Sequence, residues 1–202
     1  MRSARSGRRA GESGGSGLTA TVYVNGRIGD ESQALISVLD HGFLYGDGVY
    51  EVIRTYGRRP FLLDRHLKRL ADSARLLDLP LPDSDIASVI EQTMGAHRDR
   101  EADGHDPGEL YIRVLVTRGI GELSYAVPAS PPGLVVIVRP LPPHDPALYE
   151  RGVRVVIVPM IRNHPQSVSP RIKSNNLLNS AMAMREAERR GAFEGVFRNY
   201  RG

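Results

Sequence analysis

Leu63, Leu67, Leu70, Ala74 and Leu77 recur at spacings of 4, 3, 4 and 3, which puts all five on one stripe of a helix. Pro80 closes the pattern, because the residue before a proline is pushed out of the helical region. A second helical pattern follows with no strand between them. It runs from about Asp83 to His97, with Ile86, Val89, Ile90 and Met94 inward and Asp83 or Ser84 as its cap. Two consecutive helices between strand patterns argue for an α+β fold and against a doubly wound sheet, in which strands and helices alternate.

The strand patterns lie on both sides. Val22-Tyr23-Val24 reads as a strand, and Asn25-Gly26 after it is a hairpin signal, since both residues tolerate positive φ. Val49 to Tyr56 alternates, with Tyr50, Val52 and Arg54 on one face and Glu51, Ile53 and Thr55 on the other. Gly57-Arg58 turns the chain. Further runs fall at Leu110–Thr117, Leu134–Val138, Val153–Val158 and Phe193–Phe197, and a helix is expected from Asn176 to Arg190, ending in cations and then Gly191. Residues 99–108 are a polar loop. Pro140, Pro142, Pro143 and Pro146 fall together, so residues 140–151 are expected to form a stiff connector between a unit at 18–139 and another at 152–202.

Charge narrows the function classes. The net charge is +4, but residues 1–17 hold four arginines and one glutamate and so supply +3 of it. That Arg/Ser/Gly-rich stretch is expected to be a disordered tail without a secretory apolar core. The nearly neutral body carries no mixture of basic and aromatic residues suited to nucleic acid. No apolar run is long enough to span a membrane, so a cytoplasmic protein is expected. The chain has no cysteine, and its six histidines form no i, i+3 or i, i+4 pair, so no metal site is expected.

One lysine stands out. Arg171-Ile172-Lys173-Ser174-Asn175-Asn176-Leu177-Leu178-Asn179 places Lys173 between a β-rich segment and a patterned helix. A lysine held in a pocket can act as an amine nucleophile, for which burial or a neighbouring cation must keep part of its population neutral. Arg162 and Arg171 are its nearest cations in sequence. By itself such a lysine is more often a solvated surface residue.

Two further segments change that balance. With Asp40-His41-Gly42-Phe43-Leu44-Tyr45-Gly46-Asp47-Gly48-Val49-Tyr50-Glu51 and Asp64-Arg65-His66-Leu67-Lys68-Arg69-Leu70, the Lys173 segment resembles the class IV, fold-type IV pyridoxal-phosphate aminotransferases, in the same order and with similar spacing. That family includes branched-chain and D-amino-acid aminotransferases and aminodeoxychorismate lyase. The resemblance implies a small N-terminal α/β domain, then the beginning of a larger domain that holds pyridoxal phosphate. It implies Lys173 as the catalytic amine and Arg69 as the phosphate-binding arginine. The bland alternative for Arg69 is a surface pair with Asp72. The resemblance also implies a homodimer with its pocket near the subunit boundary, exchanging an amino group between an amino acid and a 2-oxo acid. Tyr50 and Val52 would line the substrate pocket, although Tyr50 could equally be a core tyrosine. Arg113, alone in the apolar run Tyr111–Leu115, lies either on a solvated face or towards a substrate carboxylate.

The match is incomplete. The Asn-Leu-Leu form is closer to the D-amino-acid enzymes, yet their Arg-x-His carboxylate trap is missing from Thr117–Ala126, so D-amino acids and branched-chain L-amino acids both stay open. A lyase is a third option. In the family, the partner of the pyridine nitrogen and the loops that cup the phosphate lie beyond the position of residue 202. The expectation is therefore the front part of a longer enzyme, with poor turnover by the 202-residue form or a role as an inactive binding or dimerising fragment.

Overall fold

The computed structural model describes residues 20–100, 108–128 and 130–202; the tail expected over residues 1–17, and most of the polar loop expected over 99–108, lie outside them. The Asn25-Gly26 signal holds. Strands β1 (Thr21–Val24) and β2 (Arg27–Asp30) form a hairpin whose turn residues have φ of 46° and 95°. A five-residue helix α1 (His41–Tyr45), not anticipated from the sequence, then leads into β3 (Gly48–Tyr56). Asp40 starts α1 by accepting the Gly42 N–H at 2.7 Å and the Thr117 hydroxyl at 2.9 Å.

Strand β3 turns at Gly57 and Arg58, both at positive φ, into β4 (Arg59–Pro60). Helices α2 (Leu63–Arg75) and α3 (Ile86–Arg98) follow, then β5 (Leu110–Thr117) and β6 (Gly133–Pro140). Helix α3 begins three residues later than expected. Its cap is Asp85, which accepts the Ala87 N–H at 3.1 Å, rather than Asp83 or Ser84. The strands form one antiparallel sheet in the order β2-β1-β6-β5-β3-β4.

Period-two alternation decides which side of this sheet is covered. Val49 and Ile53 of β3, Ile112 and Val114 of β5, and Val136 and Val138 of β6 pack against Leu70 and Ala74 of α2 and Ile90 and Met94 of α3. Each of these valine, leucine, isoleucine and methionine side chains contributes about 1.5–3 kcal/mol on burial. The other face carries Tyr50, Val52 and Arg54. In register across β5 and β6 they meet Leu115 and Val135, Arg113 and Ile137, and Tyr111 and Arg139 respectively.

The proline-rich stretch holds a short helix α4 (Ala147–Arg151). Strand β7 (Val155–Ile161), helix α5 (Leu178–Arg189) and strand β8 (Glu194–Arg198) then make a parallel βαβ unit, whereas the other strand pairs among the described residues are antiparallel. Among the described residues no helix is long and apolar enough to cross a membrane.

Candidate active site

Lys173 lies five residues ahead of α5, on a segment pinned at both ends. The Tyr50 N–H donates to the Lys173 carbonyl at 3.0 Å, and the Asn175 N–H to the Gly48 carbonyl at 2.8 Å, around an isolated bridge between Val49 and Ser174. The Lys173 N–H donates to the hydroxyl of buried Ser73 on α2 at 3.2 Å, and Ile172 packs against the core. The lysine backbone is thus fixed to β3 and to the first long helix packed on the large sheet. Its Nζ stands 4.1 Å from the centroid of the Tyr50 ring, and the Arg113 guanidinium carbon is 4.5 Å from the same centroid. An electron-rich ring face attracts cations, so Tyr50 orients both side chains.

A cavity of about 280 Å³ opens beside the lysine, with Tyr50, Arg69, Arg162, Arg171, Lys173 and Asn179 among its walls. The two arginines near Lys173 in sequence are therefore near it in space. Asn179 donates its amide to the Ile161 carbonyl at 3.2 Å, while its Oδ1 is buried with no hydrogen-bond partner among the described residues. Val52 shares the open face with Tyr50, one register step further from the lysine, and neither Val52 nor Arg113 borders the cavity itself. Tyr50 is a half-buried wall residue and not a core tyrosine.

Arg69 does not form the pair with Asp72 that its spacing allowed. Asp72 is taken by Lys68 at 2.6 Å and Arg75 at 2.9 Å. Arg69 instead forks onto Glu51, with Nε 2.5 Å from Oε1 and Nη2 2.6 Å from Oε2, and His66 Nδ1 is 2.8 Å from the same Oε2. Glu51 is fully buried. Burial pushes its carboxyl up, but the hydrogen bonds and charges of Arg69 and His66 outweigh that and hold it below the usual carboxylate range. No sequence motif marks Glu51 as the partner of Arg69. The available signal was an acidic residue on the inward side of β3, between Val49 and Ile53.

A second ion pair, with Arg118 buried and Asp47 partly exposed, lies at the turn ahead of β3. Arg118, just after β5, has Nε 2.9 Å and Nη2 3.2 Å from the Asp47 carboxylate. Its remaining donors reach the carbonyls of Asp78 at 2.6 Å and Leu77 at 2.8 Å, beyond the end of α2. One guanidinium thereby joins the turn leading into β3 to the helix that carries Arg69.

The match to a family model for class IV amino-transferases extends over residues 48–202, and the chain belongs to that family. It is 38% identical over 184 residues to a putative branched-chain-amino-acid aminotransferase of Methanocaldococcus jannaschii, covering 90% of this chain and 60% of that protein. It is 31% identical to the aminodeoxychorismate lyase of Bacillus subtilis and 29% identical to the D-alanine aminotransferase of Bacillus licheniformis, each covering 87% of this chain and 58% of the relative. Among solved structures, the branched-chain aminotransferase of Thermoproteus uzoniensis with norvaline superposes with a TM-score of 0.71 at 30% identity, over 91% of this chain and 61% of that one. A hypothetical aminotransferase from Mycobacterium tuberculosis, in its PLP-bound form, gives a TM-score of 0.70 at 26% identity, over 91% of this chain and 63% of that one. The chain thus spans about three fifths of the length of these relatives.

Proposed function

We propose that this protein is a pyridoxal-phosphate-dependent aminotransferase, exchanging an amino group between an aliphatic amino acid and a 2-oxo acid. The observation that carries the reading is the cavity beside Lys173, where an amine, three guanidiniums and an aromatic face converge. That donor set suits a flat aromatic aldehyde bearing a dianionic phosphate. The lysine supplies the amine, the arginines supply charge-assisted donors for the phosphate, and the orphaned Asn179 Oδ1 offers an acceptor. When bound, pyridoxal phosphate supplies an electron sink for charge developing at the substrate Cα.

The remaining work falls to side chains. Arg69 uses Nε and one Nη2 hydrogen on Glu51, and the opposite edge of its guanidinium is left for an anion. Lys173 Nζ, on its pinned backbone, moves a proton to and from the substrate Cα. Tyr50 bounds the space between Lys173 and Arg113, so a substrate side chain extending over the open face meets Val52, Leu115 and Ile137, with Arg113 in their midst. That lining suits a branched aliphatic donor, and Arg113 suits the distal carboxylate of a dicarboxylic acceptor.

The same reading includes a homodimer. Leu35, Val38, Phe43, Leu123, Tyr125 and Val127 are exposed. Their two segments are neighbours, joined by the Asp40–Ile120 bridge and by the contact between Tyr45 and Tyr125. Apolar exposure on this scale marks an interaction surface.

The test is a donor panel. Protein supplied with pyridoxal phosphate and 2-oxoglutarate is expected to form glutamate from leucine, valine or D-alanine, slowly where the 202 residues act alone, and Lys173→Ala is expected to abolish it. Absence of exchange with every L- and D-donor refutes the reading. Cleavage of aminodeoxychorismate in its place would favour the lyase chemistry named for the Bacillus subtilis relative.

A further inference from the structure

Glu51 contributes no atom to the Lys173 cavity, yet it is the fully buried carboxylate on which the cavity's Arg69 is forked. A carboxylate in that position has lost its water, and it is tolerated because its oxygens accept from Arg69 and His66. Both partners lie on α2, one turn apart, whereas Glu51 lies on β3 next to Tyr50, which borders the cavity. The Arg69 side chain is about half exposed, at 53%. Without an anchor, a long guanidinium at that exposure samples many rotamers. With Nε and Nη2 both engaged, its plane is fixed and its free N–H groups lie on the edge away from Glu51.

We propose that Glu51, supported by His66, is a positioning residue that aims the free edge of Arg69 at the phosphate of the bound cofactor. The inference rests on the reading of this site as a pyridoxal-phosphate site. Charge alone argues for the opposite outcome, because removing a nearby anion strengthens the binding of phosphate by an arginine. The sign of the effect therefore separates orientation from electrostatics.

Equilibrium titration with pyridoxal phosphate and with pyridoxal, which lacks the phosphate, makes the comparison, with inorganic phosphate as competitor. In E51Q the affinity for pyridoxal phosphate is expected to fall about tenfold, while that for pyridoxal changes less than about twofold and phosphate competes less well. E51D, which keeps the charge on a shorter stem, should recover part of the loss. Equal loss of both ligands shows a plain structural staple and overturns the inference, as does unchanged or tighter binding of the phosphorylated form. Should E51Q fail to fold, H66A removes only the support at Oε2. It is expected to lower the preference for pyridoxal phosphate over pyridoxal about threefold, and an unchanged preference overturns the inference. Wild-type protein that binds neither compound refutes the functional reading and this inference with it; wild-type protein that binds pyridoxal phosphate at Lys173, with an unaltered ligand preference in E51Q, refutes the inference alone.

Discussion

Arg118→Met is expected to destabilise the fold at a position outside the Lys173 cavity. The methionine is similar in length and apolar, so it fills most of the space left by a side chain that is only 8% exposed. It makes none of the four hydrogen bonds that Arg118 makes to Asp47, Leu77 and Asp78. Breaking a buried ion pair from one side costs about 3–5 kcal/mol, because the other charge stays behind without its partner. Asp47 is itself 30% exposed, and water can reach it, which argues for the lower end. The carbonyls of Leu77 and Asp78 lose a charged donor, adding about 1 kcal/mol or more. The expected loss is about 3–4 kcal/mol, or a fall of roughly 6–16 °C in Tm for a domain of this size. Urea unfolding followed by far-ultraviolet circular dichroism measures it. A loss under about 1 kcal/mol would show that Arg118 does not join the β3 turn to α2 in solution.

Two further outcomes follow from the same geometry. Glu51 is held below its ordinary pKa in the folded protein, so the stability it contributes is complete above the unfolded value of about 4.3 and is lost as pH falls through the folded value. Stability measured against pH should therefore fall less steeply on the acid side in E51Q than in wild type, and identical slopes would contradict the assignment. Ser73→Ala removes the acceptor for the Lys173 N–H and should cost about 1 kcal/mol while slowing chemical labelling of Lys173; no change in either would mean that this contact does not hold the lysine.

The sequence spoke clearly where periodicity and turn chemistry act locally. The stripe Leu63–Leu77, the alternation of Val49–Tyr56 and the Asn25-Gly26 turn each appear as expected, since each needs only a neighbour's geometry. Helix ends were read less well: α3 is capped by Asp85, and a single carboxylate geometry decides among three adjacent acidic or hydroxyl residues. Helix α1 is not legible in the sequence because five residues are too few for a period to show, and its cap depends on Thr117 from a distant strand. At the site, Lys173 and Arg69 were legible as motif residues, and the structure brings them to one cavity. The partner of Arg69 was not legible, because Glu51 lies 18 positions away on another element and only the packing of α2 on β3 joins them. The pairing of Asp47 with Arg118 is hidden for the same reason, at a separation of 71.

In the proposed reaction Lys173 is the amine that condenses with the cofactor's aldehyde. Protein incubated with pyridoxal phosphate, reduced with borohydride and digested, can be mapped by peptide mass. A pyridoxyl group on the peptide that contains Lys173, absent from Lys173→Ala, is the predicted result. A label confined to Lys68, the chain's other lysine, or no label at all, would contradict it.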